Sequence, residues 1–394
     1  MHQLKYTHMQ PSKRASATQE YYFSSKLREI RAMQKAGKDV INLGIGSPDL
    51  APDIEVINAI AQSMGEANSF KYQPYQGIPE LNVAIKTWYE EVYDLSLPQT
   101  LEILPLLGSK EGIGFLTLAY LNEGEEALIP NPGYPTYAAA IKLAGGVPVR
   151  YDLTAKNNWH PNLEELEKQI TPQTKIMFVN YPHMPTGQQA DRDKLQALVK
   201  FCIRHQILLC NDNPYSHTLS ENPFSIFQLS ESHSHCIELN SLSKSHSLAG
   251  ARIGMLLGNK DLLEPVLKIQ GSFSSGMFKP LQLGAITALK SGLNAFETRN
   301  EIYAQRRQKV WELLDLLKCS YDKSSGGMFV WAQIPQNCKN GHELSEELLH
   351  AVHVFITPGF IFGDNGDQYI RVSLCQPEET IIQAIERAQI RTTN

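Results

Sequence analysis

The sequence Ser241-Leu-Ser-Lys244-Ser-His-Ser-Leu-Ala-Gly-Ala-Arg252-Ile-Gly254 decides the fold prediction. One lysine stands among small hydroxyl residues, and an arginine between glycines follows it. Small neighbours let the backbone approach a phosphate, hydroxyls donate hydrogen bonds, and a guanidinium binds phosphate oxygens in two-pronged fashion. A lysine amine in this setting can form a Schiff base with a cofactor aldehyde. The stretch therefore predicts a phosphorylated carbonyl cofactor bound at Lys244, against the alternative of a surface lysine in a serine-rich loop.

A second phosphate-binding pattern lies earlier in the chain. An apolar stretch at residues 102–107 predicts a strand, and Gly108-Ser109-Lys110 leads from it into a helix that is predicted to reach residue 121. The free N–H groups and the positive end of a helix N-terminus bind phosphate. Together with Lys244 and Arg252, this pattern predicts one phosphate site to which both segments contribute.

The composition narrows the possible partners. The 394 residues are 42% hydrophobic and 20% charged, and the formal net charge of -5 gives no reason to expect nucleic acid or an anionic membrane as partner. The longest apolar runs are too short to span a bilayer, and the N-terminus lacks a secretory pattern. Six scattered cysteines without Cys-x-x-Cys spacing predict free thiols, with no metal site and no disulfide framework. These features predict a cytoplasmic protein.

Short apolar segments alternate with amphipathic segments through the middle of the chain. Parallel strands need crossover connections, so this alternation predicts an α/β fold in which helices cover a mostly parallel sheet. Ligands of such sheets bind beyond the carboxyl ends of the strands, which is where residues 108–110 and 241–254 fall. From about residue 290 the pattern changes to two helices, short strands and a final helix, which predicts a smaller α+β domain.

Residues 241–254 strongly resemble the lysine signature of class I and II aminotransferases, the fold-type-I enzymes that depend on pyridoxal 5'-phosphate (PLP). Other motifs of that family follow in order from about Tyr21 to Arg371, so the resemblance covers nearly the whole chain. The sequences Gly44-Ile-Gly-Ser-Pro-Asp-Leu50 and Gly108-Ser-Lys-Glu-Gly112 are most similar to the diaminopimelate and aspartate aminotransferase-like branches of the family.

The resemblance implies how the chain is divided. It predicts a large domain with a mostly parallel seven-stranded sheet and a smaller α+β domain built from both termini. Residues 1–49 are expected to form an N-terminal arm and part of the small domain, residues 50–289 the large PLP-binding domain, and residues 290–394 the C-terminal small domain. A homodimer with shared active sites is the expected assembly.

The resemblance also implies a set of cofactor-binding residues. Lys244 carries the cofactor, Asp212 forms an ion pair with its pyridine nitrogen, and Tyr215 donates to its phenolic oxygen. These three are the predicted catalytic residues, and Tyr134 is expected to stack on the ring. The predicted phosphate contacts are Gly108, Ser109, Lys110, Ser241, Ser243, Arg252 and Tyr72, the last reaching across the dimer interface to the neighbouring cofactor.

Two further residues are predicted to bind the substrate carboxylate. Arg371 lies on an apolar strand and presents a planar fork that fits a carboxylate, and Gly46 lies in a glycine-rich loop that the family places over the same group. Other interpretations remain open for several predicted residues. Gly46 can belong to a plain turn and Arg371 to a structural salt bridge. Asp212 can be a turn former before a proline, and Tyr72 and Tyr134 can be packing residues.

Met184 departs from the family pattern. The usual motif is Asn-Pro-Thr-Gly, whose asparagine donates to the cofactor's phenolic oxygen, and here the corresponding sequence is Met184-Pro-Thr-Gly187. A thioether cannot donate a hydrogen bond. We therefore expect Tyr215 to act unaided, or another group to replace the missing donor.

The activity implied by these motifs is transfer of an amino group between an L-amino acid and a 2-oxo acid. Lys244 is expected to move the proton at the substrate Cα, and Asp212 to keep the ring nitrogen protonated. Two alternatives remain at this point. One is a PLP-dependent C–S lyase of the same fold, and the other is a non-catalytic PLP-binding sensor, for which Met184 is the only indication.

Overall fold

The computed structural model describes residues 9–18 and 20–393. The chain divides into two compact units, Met1–Val40 and Ile41–Asn394. The first unit contains helices α1 (Lys13–Ala17) and α2 (Tyr22–Lys35). Apolar residues at three- and four-residue spacing from Tyr21 predict a helix that ends near Gly37, and α2 confirms this helix. The predicted N-terminal arm falls partly on residues 1–8 and 19, which lie outside the described residues. The rest of that segment contains the short, exposed helix α1, which its polar sequence did not indicate.

The second unit contains all the strands of the described chain. They are β1 (Ile41–Asn42), β2 (Leu101–Leu106), β3 (Glu126–Asn131), β4 (Val147–Asp152), β5 (Thr174–Val179), β6 (Leu208–Asp212), β7 (Cys236–Ser241), β8 (Gly254–Asn259), β9 (Ser320–Tyr321), β10 (Phe329–Gln333), β11 (Val354–Phe355), β12 (Thr357–Pro358) and β13 (Tyr369–Ser373). The helices of this unit are α3 (Ile54–Ser63), α4 (Pro79–Tyr93), α5 (Ser109–Tyr120), α6 (Pro135–Leu143), α7 (Leu163–Gln169), α8 (Arg192–Arg204), α9 (Leu242–Ser245), α10 (Lys260–Phe273), α11 (Lys279–Leu289), α12 (Asn294–Leu316), α13 (Gly341–Val352) and α14 (Glu378–Thr393).

Seven strands form one sheet in the order β2-β8-β7-β6-β5-β3-β4. Only β8 runs against its neighbours, and it pairs antiparallel with both β2 and β7. The prediction of a mostly parallel sheet covered by helices is confirmed. Because β8 is reversed, its first residue, Gly254, lies beside the last residues of its neighbours, Leu106 and Ser241. The start of β8 therefore joins the carboxyl ends of the other strands.

Side chains along each central strand alternate between two hydrophobic cores. On β5, Ile176 and Phe178 belong to the cluster that includes residues of α5, α6 and α10, whereas Met177 and Val179 belong to the cluster that includes residues of α4 and α8. All four are buried, as the two-residue period of a strand covered on both faces requires. Replacing Phe178 by alanine is expected to cost about 3–5 kcal/mol of folding free energy.

A smaller, four-stranded antiparallel sheet has the order β12-β13-β10-β9, and β1 pairs in parallel with β11. In the smaller sheet, Arg371 of β13 lies between Trp331 of β10 and Thr357 of β12. The seven strands of the large sheet fall within residues 50–289 and the four of the smaller sheet within 290–394. The exact domain boundaries stay a prediction. None of the described helices is long and apolar enough to cross a lipid bilayer.

Candidate active site

The carboxyl edge of the large sheet brings together residues that are far apart in sequence. Asp212 ends β6 and Ser241 ends β7, while Gly108 follows β2 and Arg252 precedes β8. The register of β8 with its two neighbours places the segments after β2 and before β8 beside each other. The fold therefore gathers these predicted residues at one edge, as expected for a ligand site of an α/β sheet.

Gly108 and Arg252 lie against each other at the base of the predicted phosphate cup. A Cβ atom on Gly108 would lie 2.0 Å from Arg252 Nη2, and one on Gly254 would lie 2.6 Å from the backbone nitrogen of Ser109. Only glycine fits at position 254, where a side chain would meet the backbone, whereas a side chain at position 108 would displace the Arg252 guanidinium. Gly108 also has a φ of 88°, which favours glycine, and it stands at the N-terminus of α5. A guanidinium and a helix N-terminus thus meet at one point, with Lys110 exposed in the first turn of α5.

Two serines line the same cup. Ser241 Oγ donates to Ser243 Oγ at 2.8 Å and accepts from the Ser243 backbone N–H at 3.1 Å. Arg252 Nη1 lies 3.5 Å from Ser243 Oγ and donates to the Ala249 carbonyl at 2.9 Å. Arg252 has a φ of 56°, in the left-handed region where side chains are strained. Such strain often accompanies a functional role.

Lys244 lies in the short helix α9 and points at the glycine-rich loop. Its Nζ donates to the Gly46 carbonyl at 2.6 Å. Burial lowers the pKa of the Lys244 amine, and the charges of Arg371 and Arg252 lower it further. At a given pH, a larger fraction of this amine is neutral than of a surface lysine, and the neutral amine is the form that acts as nucleophile or base.

The glycine-rich loop packs closely against both sheets' functional side chains. A Cβ atom on Gly46 would lie 2.1 Å from the ring of Phe329, so no larger residue fits there. The Gly44 carbonyl accepts hydrogen bonds from Arg371 Nη2 at 2.9 Å and from Thr357 Oγ1 at 2.8 Å. Through these bonds and the Lys244–Gly46 bond, the loop links Lys244 of α9 to Arg371 of the smaller sheet.

Arg371 is buried and held between aromatic rings. Its guanidinium carbon lies 3.8 Å from the ring centroid of Phe329 and 4.7 Å from that of Phe362. The rings fix the plane of the guanidinium. Nη1 donates to the sulfur of Met184 at 3.4 Å, a weak acceptor that a carboxylate could displace.

Asp212 is buried with only one of its carboxylate oxygens satisfied. Oδ2 accepts from the Tyr137 hydroxyl at 2.9 Å, and Asn180 Nδ2 donates to the Asp212 backbone carbonyl. Among the described residues, none donates to the buried Oδ1. Burial raises the pKa of Asp212 to about 6, while the Tyr137 hydrogen bond acts in the opposite direction. A cationic N–H group bound at Oδ1 would complete this carboxylate and lower its pKa.

The predicted tyrosines divide into two groups. Tyr134 precedes α6, with its ring 5.6 Å from that of Tyr137, and the buried Tyr215 lies 6.0 Å from Phe329. Burial raises the pKa of both hydroxyls, so both are protonated donors at neutral pH. Tyr72, in contrast, is 91% exposed. Its exposed side chain gives it no place among the buried groups of this site.

The sequence prediction missed three residues that shape the site. Tyr137 donates to the Asp212 carboxylate, Asn180 bonds to the Asp212 carbonyl and to the Met184 N–H, and Phe329 packs against Arg371 and Gly46. Tyr137 lies three residues after Tyr134, close enough to have been considered with it. The contacts of Asn180 and Phe329 depend on strand pairing and left no signal in the local sequence.

These groups fit PLP. The cup of backbone amides, hydroxyls and guanidinium fits a phosphate, the buried open oxygen of Asp212 fits a protonated pyridine nitrogen, and Lys244 fits an aldehyde. With this arrangement at the carboxyl edge of an α/β sheet, the protein falls in the class of PLP-dependent enzymes.

Comparison with known proteins identifies the family. Residues 38–387 match the family "Aminotransferase class I and II". The chain is 34% identical to an LL-diaminopimelate aminotransferase from Halothermothrix orenii, over 93% of this chain and 95% of the relative. An LL-diaminopimelate aminotransferase from Aquifex aeolicus is 32% identical, over 95% and 97% of the two chains.

Solved structures give the same result. Apo-BacF from Bacillus subtilis superposes with a TM-score of 0.93 at 31% identity and covers 97% of this chain and 98% of its own. Aspartate aminotransferase from Thermus thermophilus superposes with a TM-score of 0.89 at 26% identity, over 97% and 100%. The chain belongs to the class I and II aminotransferase family. It is a PLP-dependent enzyme that transfers an amino group between an amino acid and a 2-oxo acid.

Proposed function

We propose that the gathered residues hold PLP and substrate as follows. Asp212 holds the ring nitrogen, Tyr215 donates to the phenolic oxygen, and Tyr134 stacks on the ring. Arg371 and the Gly46 loop bind the substrate carboxylate. The phosphate is held by Gly108, Ser109, Lys110, Ser241, Ser243 and Arg252.

The chemistry is shared between the cofactor and Lys244. When bound, PLP supplies an aldehyde that bonds to amines and a ring that accepts the electron pair left behind when a proton leaves the substrate Cα. Lys244 Nζ is the base that removes this proton and, as its conjugate acid, later returns one. Burial lowers the pKa of Lys244, which raises the fraction of the amine that is neutral and reactive at a given pH.

The observation that carries this proposal is the position of Lys244 relative to Arg371. Lys244 Nζ donates to the Gly46 carbonyl at 2.6 Å, and Arg371 Nη2 donates to the Gly44 carbonyl of the same loop at 2.9 Å. This shared loop supports a pose in which a carboxylate bound at Arg371 has its neighbouring Cα within reach of Lys244. Positioning a base next to the atom it deprotonates is a large part of catalysis by proton transfer.

The test of this assignment is Lys244→Ala in the PLP-loaded enzyme. Turnover should fall by roughly a thousandfold or more, because the base is lost, while cofactor still binds at the phosphate cup. Borohydride reduction of the wild-type enzyme should attach the cofactor to the peptide that contains Lys244. Lys268→Ala is the matched control, because the Lys268 amine forms an exposed ion pair with Glu264. Near-normal turnover in Lys244→Ala, or a label on another peptide, contradicts the assignment.

We further propose that LL-diaminopimelate is the amino donor. The support comes from the relatives named above, which carry that activity in their names and match this chain over nearly their full length. A panel of amino donors, offered with 2-oxoglutarate and pyruvate, should give the highest kcat/KM for LL-diaminopimelate. A higher kcat/KM for another amino acid would contradict LL-diaminopimelate as the amino donor. Pyruvate and ammonia formed from cystathionine without an acceptor would instead indicate a C–S lyase.

We propose that the enzyme is a homodimer in which Tyr72 completes the neighbouring phosphate cup. Phe70, Tyr72 and Phe273 are 73%, 91% and 69% exposed. The loop around Gln73 packs against Gly276, which places two of these aromatic segments side by side. Exposed apolar patches of this kind usually mark an interface.

Sedimentation of the purified protein should give twice the chain mass, and the double variant Phe70→Asp/Phe273→Asp should sediment as a monomer. Tyr72→Phe should keep the dimer and weaken PLP binding several-fold, because one phosphate contact is lost. A wild-type monomer with full activity would contradict the shared site. A cytoplasmic location is proposed as well, supported by the buried thiols Cys202, Cys210 and Cys236, and fractionation of cells tests it.

A further inference from the structure

A second buried carboxylate lies behind the active site. Glu238 is in the middle of β7, and its exposed fraction is 0%. Its oxygens accept hydrogen bonds from the Tyr89 hydroxyl at 3.1 Å, Asn213 Nδ2 at 3.2 Å, Asn211 Nδ2 at 2.8 Å and the Ile226 N–H at 2.8 Å. Among the described residues, no basic group pairs with it. The cofactor chemistry proposed above does not use this residue.

Glu238 holds the two residues on either side of Asp212. Asn211 is its register partner on β6 and bonds to Oε2, whereas Asn213 bonds to Oε1. Successive side chains of a strand point to opposite faces, so Asn211 and Asn213 face Glu238, and Asp212 faces Tyr137. The carboxylate of Glu238 therefore spans the backbone that presents Asp212.

The same hydrogen-bond network reaches two other parts of the site. The Tyr93 hydroxyl lies 2.6 Å from the Oγ of Ser216, the residue that follows Tyr215 in the sequence. The same hydroxyl accepts a hydrogen bond from Asn240 Nδ2 at 3.3 Å. Asn240 Oδ1 in turn accepts from the backbone N–H of Ser241 at 2.7 Å. Residues of this network are therefore sequence neighbours of three predicted site residues, Asp212, Tyr215 and Ser241.

We propose that Glu238 is a positioning residue for amino transfer, which acts from the far face of the sheet by fixing Asn211 and Asn213 so that Asp212 presents its open oxygen to the cofactor ring. This inference rests on the proposed role of Asp212. A buried carboxylate with several donors is rigid, because each bond restricts it and none can be exchanged for water at low cost. That rigidity passes through the two asparagines to Asp212.

The test uses pyridoxine 5'-phosphate, which lacks the aldehyde and therefore binds without a bond to Lys244. Glu238→Gln keeps the shape but replaces one acceptor oxygen by an NH₂ group, which faces the donors already present. Its affinity for pyridoxine phosphate, measured by fluorescence titration of the cofactor-free protein, should fall roughly tenfold. Asn211→Ser deletes the contact from the other end and should act in the same direction, even if Glu238→Gln fails to fold.

A double-mutant cycle separates positioning from plain structural support. If Glu238 acts through Asp212, Glu238→Gln should cause little further loss of affinity in an Asp212→Asn background. Fully additive losses, or a lower melting temperature with unchanged affinity, would overturn the positioning role. If Asp212→Asn alone has no effect on affinity, the proposed role of Asp212 fails instead, and the two failures are distinguishable.

Glu126→Gln provides the matched control. Glu126 Oε2 also accepts two hydrogen bonds, from the hydroxyls of Thr171 at 2.7 Å and Thr174 at 2.9 Å, but it lies at the opposite end of the sheet, at the start of β3. The same chemical change there should leave the affinity for pyridoxine phosphate within twofold of wild type, on the order of the scatter expected for a distant site. An equal loss in Glu126→Gln would mean that the effect of Glu238→Gln is not specific to its position.

Discussion

Asp212 and Glu238 are two buried carboxylates on neighbouring strands, and they differ in how fully they are bonded. The oxygens of Glu238 share four donors, whereas Asp212 has one donor on Oδ2 and, among the described residues, none on Oδ1. An unsatisfied buried acceptor costs free energy, and at the carboxyl edge of the sheet a ligand that donates to Oδ1 would recover that cost. This difference indicates that Glu238 supports the structure of the site, whereas Asp212 is available to bind the cofactor.

Among the variants that compare these two carboxylates, Asp212→Asn should have the largest effect on activity. In Asp212→Asn, an amide faces the ring nitrogen, and kcat/KM should fall by about a hundredfold or more, since a hydrogen bond to a charged group of up to ~3 kcal/mol is lost. Asp315→Asn is the matched control, because Asp315 also accepts a tyrosine hydroxyl at 2.9 Å but lies on α12. Steady-state kinetics of the PLP-loaded proteins measure both. A loss of kcat/KM of less than fivefold in Asp212→Asn would contradict the role of Asp212 in cofactor binding.

The pH dependence of stability tests the cost of the open oxygen. The pKa of Asp212 is about 6 in the folded protein and about 4 when unfolded. Between these values the folded, cofactor-free protein binds the extra proton, so the stability that the protonated Asp212 contributes is lost as the pH rises through 6. Relative to Asp212→Asn, wild type should lose roughly 1–3 kcal/mol between pH 4 and pH 7.

Urea unfolding of the two cofactor-free proteins measures this difference, and comparison at each pH cancels the other titrating groups. Addition of PLP at pH 7 should stabilise wild type more than the variant, because only wild type offers the ring nitrogen a carboxylate. Parallel stability curves across this pH range would show that Asp212 is not strained by burial.

Tyr137→Phe makes the difference between the two carboxylates larger, because it removes the hydroxyl that donates to Asp212 Oδ2. The phenyl ring keeps the stacking against Phe178, whose centroid is 4.8 Å away. The pKa of Asp212 should rise further, by up to about one unit, and the pH at which stability is lost should rise with it. Tyr151→Phe removes a buried hydroxyl that donates to the Phe178 carbonyl at 2.7 Å and should leave that midpoint unchanged. An unchanged midpoint in Tyr137→Phe would mean that the 2.9 Å hydrogen bond from Tyr137 does not affect the pKa of Asp212.

The sequence predicted this fold because strand and helix periods and the motifs at strand ends are local signals. It placed Asp212, Ser241, Gly108 and Arg252 at one edge without any knowledge of the register. It could not show how the two oxygens of Asp212 are bonded. Tyr137 of α6 donates to Oδ2, and no donor among the described residues reaches Oδ1, which only the folded structure reveals.

Contacts across the chain were equally hidden. Arg371 and Gly44 bond although 327 residues separate them, and Met184 turned out to accept a hydrogen bond from Arg371. The short apolar stretch at residues 39–43 predicts a strand, but β1 is only Ile41–Asn42, because its length is set by the two residues of β11 with which it pairs. Long-range pairing, not local preference, fixes such details.

The smallest expected effect concerns Met184, which stands where the family has a donor. Asn180 holds the backbone of Met184 and that of Asp212, so a new side chain at 184 should be presented in the same place. Met184→Asn supplies a donor to the phenolic oxygen and should lower the pH midpoint of the bound cofactor's absorbance by about 0.5–1 unit. Met184→Leu adds no donor and should leave the midpoint in place. No downward shift in Met184→Asn would mean that another group already fills this role.

The contact between Gly46 and Phe329 has a consequence for laboratory evolution of this enzyme. A Cβ atom at position 46 would meet the phenyl ring at 2.1 Å, and that ring also packs on Arg371. Single-codon libraries at position 46 should therefore yield mostly inactive clones. Libraries that vary both positions together, with smaller residues at 329, are the ones from which new substrate preferences can be selected.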